Sequence, residues 1–145
     1  MQDDWLEPRL DDWLAALDRA IRGCAAPPAL AAHSLACSLV AHWAALHPRV
    51  DVRAALLVAP ADVESPAHTP DAVRNFSPIP LGRLPFPSIV VASDDDAFVT
   101  PPRARAFAQA WGGRLVMLSR AGHINADAGF GPWPEGLRLL AELVE

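Results

Sequence analysis

Apolar positions recur along the chain in two rhythms, and the alternation between them predicts the fold. Leu10, Trp13, Leu14, Leu17 and Ile21 fall at helical spacing, with Pro8 near the start and Gly23 just past the end. Proline suits the first helical turn, whose amides lack partners, and glycine suits the exit. Pro27-Pro28 breaks the chain before Ala29-Leu30-Ala31-Ala32, which reads as a short buried strand. The helical period returns from Leu35 to Leu46, placing Leu35, Leu39, Trp43 and Leu46 on one side, and Pro48 stops it. Val52 to Ala59 holds the clearest strand, the unbroken apolar run from Ala54 to Ala59. A run without alternation implies a strand covered on both faces, and hence a parallel sheet.

Pro60 to Pro87 is proline-rich and shows no sustained period, so it predicts a long loop with one helical turn near Asp71-Ala72-Val73. Loops of that length usually shape a site or form a lid. Ser88-Ile89-Val90-Val91-Ala92 is the next buried strand, and Pro101-Pro102 opens a helix through Ala104, Phe107, Ala108 and Trp111 that Gly112-Gly113 closes. Arg114 to Leu118 is the last strand. Pro134 to Val144 is the last helix, with Leu137, Leu140, Ala141 and Val144 in phase. Helices alternating with buried strands predict a single α/β domain over 1–145, an open and mostly parallel sheet with helices on both faces and right-handed crossovers.

Composition narrows the function. With 145 residues and 52% hydrophobic content, the chain has apolar surface enough for one core. The net charge is -5, and the basic residues are all arginines scattered along the sequence. No basic stripe exists to neutralise phosphates, which argues against nucleic acid as a partner. No apolar stretch approaches the ~20 residues of a membrane span. The acidic start, Met1-Gln2-Asp3-Asp4-Trp5, does not read as a signal peptide, so a cytoplasmic protein is expected. Cys24 and Cys37 make no disulfide framework and lack the spacing of redox or zinc sites; Cys37 reads as a small buried thiol. Neither a metal-ligand spacing nor a glycine-rich phosphate loop is present, so no metal and no cofactor are expected.

Chemistry enters where the strands end. In open α/β sheets reactive groups gather at the carboxyl edge, and three segments there are complementary. Ser34 follows the first strand, Asp94-Asp95-Asp96 the third and Gly122-His123 the fourth. A serine hydroxyl needs an imidazole to take its proton, and the imidazole needs a carboxylate on its other nitrogen. The chain order serine, acid, histidine belongs to one architecture among those using this chemistry. Each group alone has a plainer reading: Ser34 as a helix cap, the aspartates as loop acids, His123 as a turn residue. The surrounding turn departs from the G-x-S-x-G pattern, with Ala32 and Ala36 at the glycine positions. His33 reads as local packing beside the serine, His42 and His47 as helix residues, and His68 as a solvated loop residue.

The chain resembles the small α/β-hydrolase-fold proteins of the RBBP9/YdeN type, a serine-hydrolase or esterase family of bacteria. The matching pieces are Asp11-Asp12-Trp13, Ala32-His33-Ser34-Leu35, Ala41-His42-Trp43, the stretch Phe86 to Asp96, and Ala121-Gly122-His123-Ile124-Asn125 with Gly129 to Gly136. The resemblance implies a triad of Ser34, Asp96 and His123, with Asp95 second choice for the acid and the Leu35 amide as one oxyanion donor. It also implies that family members begin with a strand, a glycine-rich loop and a helix ahead of the segment that starts here at Met1. The expected fold is therefore an α/β-hydrolase truncated at its N-terminus, without the loop that gives the second oxyanion donor. Loss of one such donor costs on the order of 10²–10³ in turnover. The implied activity is hydrolysis of a small-molecule ester or amide. The alternative is a weak or inactive member serving as a binding domain, with a homo-oligomer formed through the unpaired sheet left open.

Overall fold

The structure, a computed structural model, describes residues 5–145; the acidic start, Met1 to Asp4, lies outside the described residues. Four parallel strands pair in chain order: β1 (Ala29–His33), β2 (Ala54–Val58), β3 (Ser88–Ser93) and β4 (Arg114–Leu118). Four helices accompany them: α1 (Leu10–Arg22), α2 (Leu35–Leu46), α3 (Pro101–Trp111) and α4 (Pro134–Val144). The expected parallel sheet with helices on both faces is what forms.

The unbroken apolar runs have the anticipated cause. Successive side chains of a strand point to opposite faces, so Ala55, Leu57, Val90 and Ala92 join a core with Trp13, Trp43, Phe107 and Trp111 from α1, α2 and α3. Leu56, Val58, Ile89 and Val91 turn to the other face and meet Leu139 of α4. Every residue of β2 and β3 is buried. Between the sheet and α1, α2 is buried nearly all round, from Cys37 to Ala41 and again at Trp43 and Ala44, while Leu46 at its end is exposed. A helix apolar on every side belongs in this interior position. Cys37 is buried as expected, and burial pushes its thiol pKa up.

Two expectations about burial are corrected. The run at β1 is half-exposed rather than buried, because β1 is the outer strand of the sheet. The Ser34 amide donates to Val58 O, and Arg53 donates to Pro28 O. By the alternation of a parallel ladder, the backbone groups of Ala29, Ala31 and His33 therefore face away from β2. In α4 the buried stripe is Gly136 and Leu139 with Leu140 and Leu143 beside it, whereas Leu137 is 70% exposed. Leu137 lies over the groove beside β1, where no further strand of the described residues covers it.

The Pro60–Pro87 segment is a packed part of the core and not a lid. Its helical turn is a short 3-10 helix (Asp71–Phe76), and Val63, Phe76, Ile79 and Leu84 are buried with the large core cluster. Asn75 in that turn completes α1: its Oδ1 accepts the Leu10 amide at 2.8 Å and its Nδ2 donates to Pro8 O at 2.9 Å. An acceptor supplied to a free helix-start amide is worth roughly 1 kcal/mol. Asn75→Ala is therefore expected to lower the urea-unfolding free energy by about that amount, and an unchanged midpoint would remove this cap from the account.

Candidate active site

Ser34 occupies the bend between β1 and α2 with φ 56 and ψ -120. A non-glycine residue pays roughly 1–3 kcal/mol for such a backbone and keeps it only where its surroundings hold it. Here the hold is the Ser34 amide on Val58 O at one end and the Cys37 amide on Ser34 O at the other. The turn forms with Ala32 and Ala36 in place of glycines. As the first residue of α2, Leu35 carries an amide with no acceptor inside the helix.

A second strained loop follows β4. Arg120, Gly122 and Ile124 all have positive φ, so His123 sits between two left-handed residues. The end of β3 holds this loop almost residue by residue. Asp94 Oδ1 accepts the Arg120 amide at 2.7 Å, Ser93 Oγ the Ala121 amide at 2.9 Å, and Asp95 Oδ1 the Gly122 amide at 2.8 Å. Asp96 receives the His123 ring: Nδ1 lies 2.9 Å from Oδ2 and 3.0 Å from Oδ1. On the other side of the ring Nε2 lies 2.8 Å from Ser34 Oγ. A carboxylate can only accept, so Nδ1 carries the proton and Nε2 offers a lone pair to the serine hydroxyl. The Asp96 side chain is fully buried and that of His123 is 12% exposed, so little water competes for either bond.

The three aspartates thus do different work. Asp96 meets the imidazole, while Asp95 takes the Ser93 hydroxyl at 2.7 Å together with the Gly122 amide. Those bonds hold the Asp95 carboxyl below its ordinary pKa, the Ser93 hydroxyl contributing most. A carboxylate with a depressed folded-state pKa adds stability that is whole above the unfolded value and fades as pH falls through the lowered one. Melting temperature is expected to drop as pH falls below the ordinary carboxylate range, and to drop less steeply in Asp95→Asn. Equal slopes in the two proteins would discount this clamp.

The other histidines lie against backbone carbonyls or a carboxylate. His42 Nε2 bonds Phe76 O, His47 approaches Asp18 at 3.6 Å, and His68 Nδ1 bonds Ala97 O beside Asp96. His33, read from sequence as local packing, instead donates from Nε2 to His123 O at 2.8 Å. Phe98 places its ring 4.4 Å from that of His123 and its amide on Asp96 Oδ1. Sequence reasoning missed both contacts; the available signals were the adjacency of His33 to Ser34 and of Phe98 to Asp96. A recess of about 960 Å³ opens at the opposite edge, by Ser88 and Arg114 at the starts of β3 and β4, away from these groups. Among the described residues no cluster of side chains could hold a metal ion, and no helix is long and apolar enough to cross a membrane.

A parallel sheet with helices on both faces, carrying a strained serine turn at its carboxyl edge, defines an α/β-hydrolase fold. The chain belongs to the serine hydrolase family, whose profile matches residues 1–142; it is an enzyme, a hydrolase. Among solved structures it is similar to a YdeN-like hydrolase from Pectobacterium atrosepticum, with 35% identity, a TM-score of 0.86, and coverage of 99% of this chain and 74% of that one. The ydeN gene product of B. subtilis shares the fold at 23% identity and TM-score 0.74, over 95% of this chain and 76% of its own. A monoacylglycerol lipase from Paleococcus ferrophilus shares it at 15% identity and TM-score 0.69, over 95% and 76%. No curated protein matches the chain.

Proposed function

We propose that the protein hydrolyses carboxylic esters of small molecules through an acyl-enzyme on Ser34, in a single domain spanning the chain. The observation that carries this reading is the unbroken hydrogen-bonded series Asp96–His123–Ser34 at the sheet edge. Ser34 Oγ attacks the ester carbonyl as its proton passes to His123 Nε2. The negative charge on the carbonyl oxygen falls to the Leu35 amide. Asp96 keeps the imidazole in the right tautomer and steadies the cation that forms. His123 then gives the proton to the departing alcohol, leaving an acyl group on Ser34. Water attacks that ester with His123 again as base, releasing the acid and restoring the serine. No cofactor takes part in this scheme.

A fluorophosphonate probe tests it directly. The folded protein is expected to take one label, on Ser34, and competition by a short-chain aryl ester should slow the labelling. Folded protein that stays unlabelled would sink the proposal. A binding role without turnover is the second reading, favoured by the open β1 edge and the groove beneath Leu137. It predicts the unlabelled result.

A further inference from the structure

His33 stands directly before Ser34, at the last position of β1. Its ring does not simply fill space. Nε2 lies 2.8 Å from the backbone oxygen of His123, and the two imidazoles meet edge to face with centroids 4.7 Å apart at 62°. A carbonyl accepts and cannot donate, so His33 must carry its proton on Nε2. Partial loss of water where the ring packs on the His123 loop, the largest influence, pushes its pKa below the ordinary histidine value, and the neutral ring then holds a single N–H, spent on this bond.

Two hydrogen bonds therefore join adjacent residues of the elbow to one residue of the facing loop. Ser34 Oγ donates to the ring of His123, and His33 donates to its backbone. A single bond between two loops leaves a hinge; two bonds from neighbouring residues close a small ring and fix both distance and angle. The fixing matters here because His123 sits between left-handed Gly122 and Ile124, a backbone that its surroundings must hold. The clamp from Ser93, Asp94 and Asp95 ties that loop to β3. Among the described residues, only the His33 bond ties its backbone to the strand that carries the nucleophile.

We infer that His33 is a positioning residue: its bond to the His123 carbonyl sets the base in register with the Ser34 hydroxyl. The inference rests on the proposed roles of Ser34 and His123. Small displacements of a base from its nucleophile cost up to about 10²-fold in rate, so His33→Ala is expected to lose about ten- to a hundredfold in kcat with little change in KM. His33→Gln presents an N–H at similar reach and should recover most of the loss.

The experiment compares wild type, His33→Ala and His33→Gln by kcat, KM and fluorophosphonate labelling rate, each scaled to folded protein. The low-field resonance of the His123 Nδ1 proton is recorded for all three. The expected result is a fall in kcat and labelling rate and a shifted or broadened resonance in His33→Ala, with recovery in His33→Gln. A His33→Ala protein with wild-type kcat and an unshifted resonance overturns the positioning role. So does a loss that His33→Gln fails to recover. Were wild type itself inert to the probe, the ester-hydrolase reading would fall, while an unmoved His123 resonance in His33→Ala would separately refute the positioning role.

Discussion

Ser34→Ala is expected to reduce ester turnover by about 10⁶-fold while leaving the fold intact, the scale seen when a nucleophile is removed from a cooperating triad. The substitution removes one oxygen and nothing else that the turn needs. Alanine accepts the same positive φ at the same strain, and the Ser34 amide and carbonyl keep their bonds to Val58 and Cys37. Thermal stability should therefore stay near wild type. Hydrolysis of a p-nitrophenyl ester would fall to whatever Leu35 and binding provide without a nucleophile. The measurement is kcat for both proteins against buffer, with unfolding curves alongside. Retention of more than a hundredth of the activity would place the nucleophile elsewhere, since no solvent water held by His123 replaces a bonded hydroxyl at that rate.

The parts of this arrangement that could be read in the sequence share one property: they depend on neighbours close in the chain or on burial by both sheet faces. The runs Ala54 to Ala59 and Ser88 to Ala92 are interior strands, so their composition alone reveals them. β1 has the same small apolar residues and yet lies half open, because exposure depends on its place at the sheet edge and not on its composition. The phase of α4 is hidden in the sequence for a related reason. Leucines occur on two of its faces, and only the way α4 lies across β2 and β3 decides which is covered. At the sheet edge, Ser34, the aspartates and His123 were legible as strand-end residues. The partition of work among Asp94, Asp95 and Asp96 was not, since it follows from the path that positive φ at Arg120, Gly122 and Ile124 gives the loop across the gap. His33 escaped for the opposite reason. Its alternation along β1 sends it away from Ser34, and only the path of the distant loop brings His123 O to meet it.

The Asp96→Asn and Asp95→Asn proteins are expected to separate sharply, which makes the pair the strictest check on the division of labour. In Asp96→Asn the amide oxygen can keep the Phe98 amide bond that Oδ1 now accepts at 2.9 Å. Its NH₂ then faces Nδ1 of His123. A donor in that place favours the imidazole tautomer with the proton on Nε2, which cannot take a proton from Ser34. The geometry survives and the chemistry fails, with a loss of about 10⁴ in kcat near neutral pH. Asp95→Asn keeps an oxygen to accept the Gly122 amide and leaves the imidazole's own partner untouched, so its kcat should stay within about threefold of wild type, a cost no larger than a weakened neutral hydrogen bond. Steady-state kinetics on both variants, with fluorophosphonate labelling as a second readout, decides the matter. An Asp96→Asn protein within tenfold of wild type, or an Asp95→Asn protein that loses as much, would assign the orienting carboxylate wrongly. The burial of Asp96 is what gives the contrast its size: water cannot enter to stand in for the missing charge, whereas at exposed Asp95 it can.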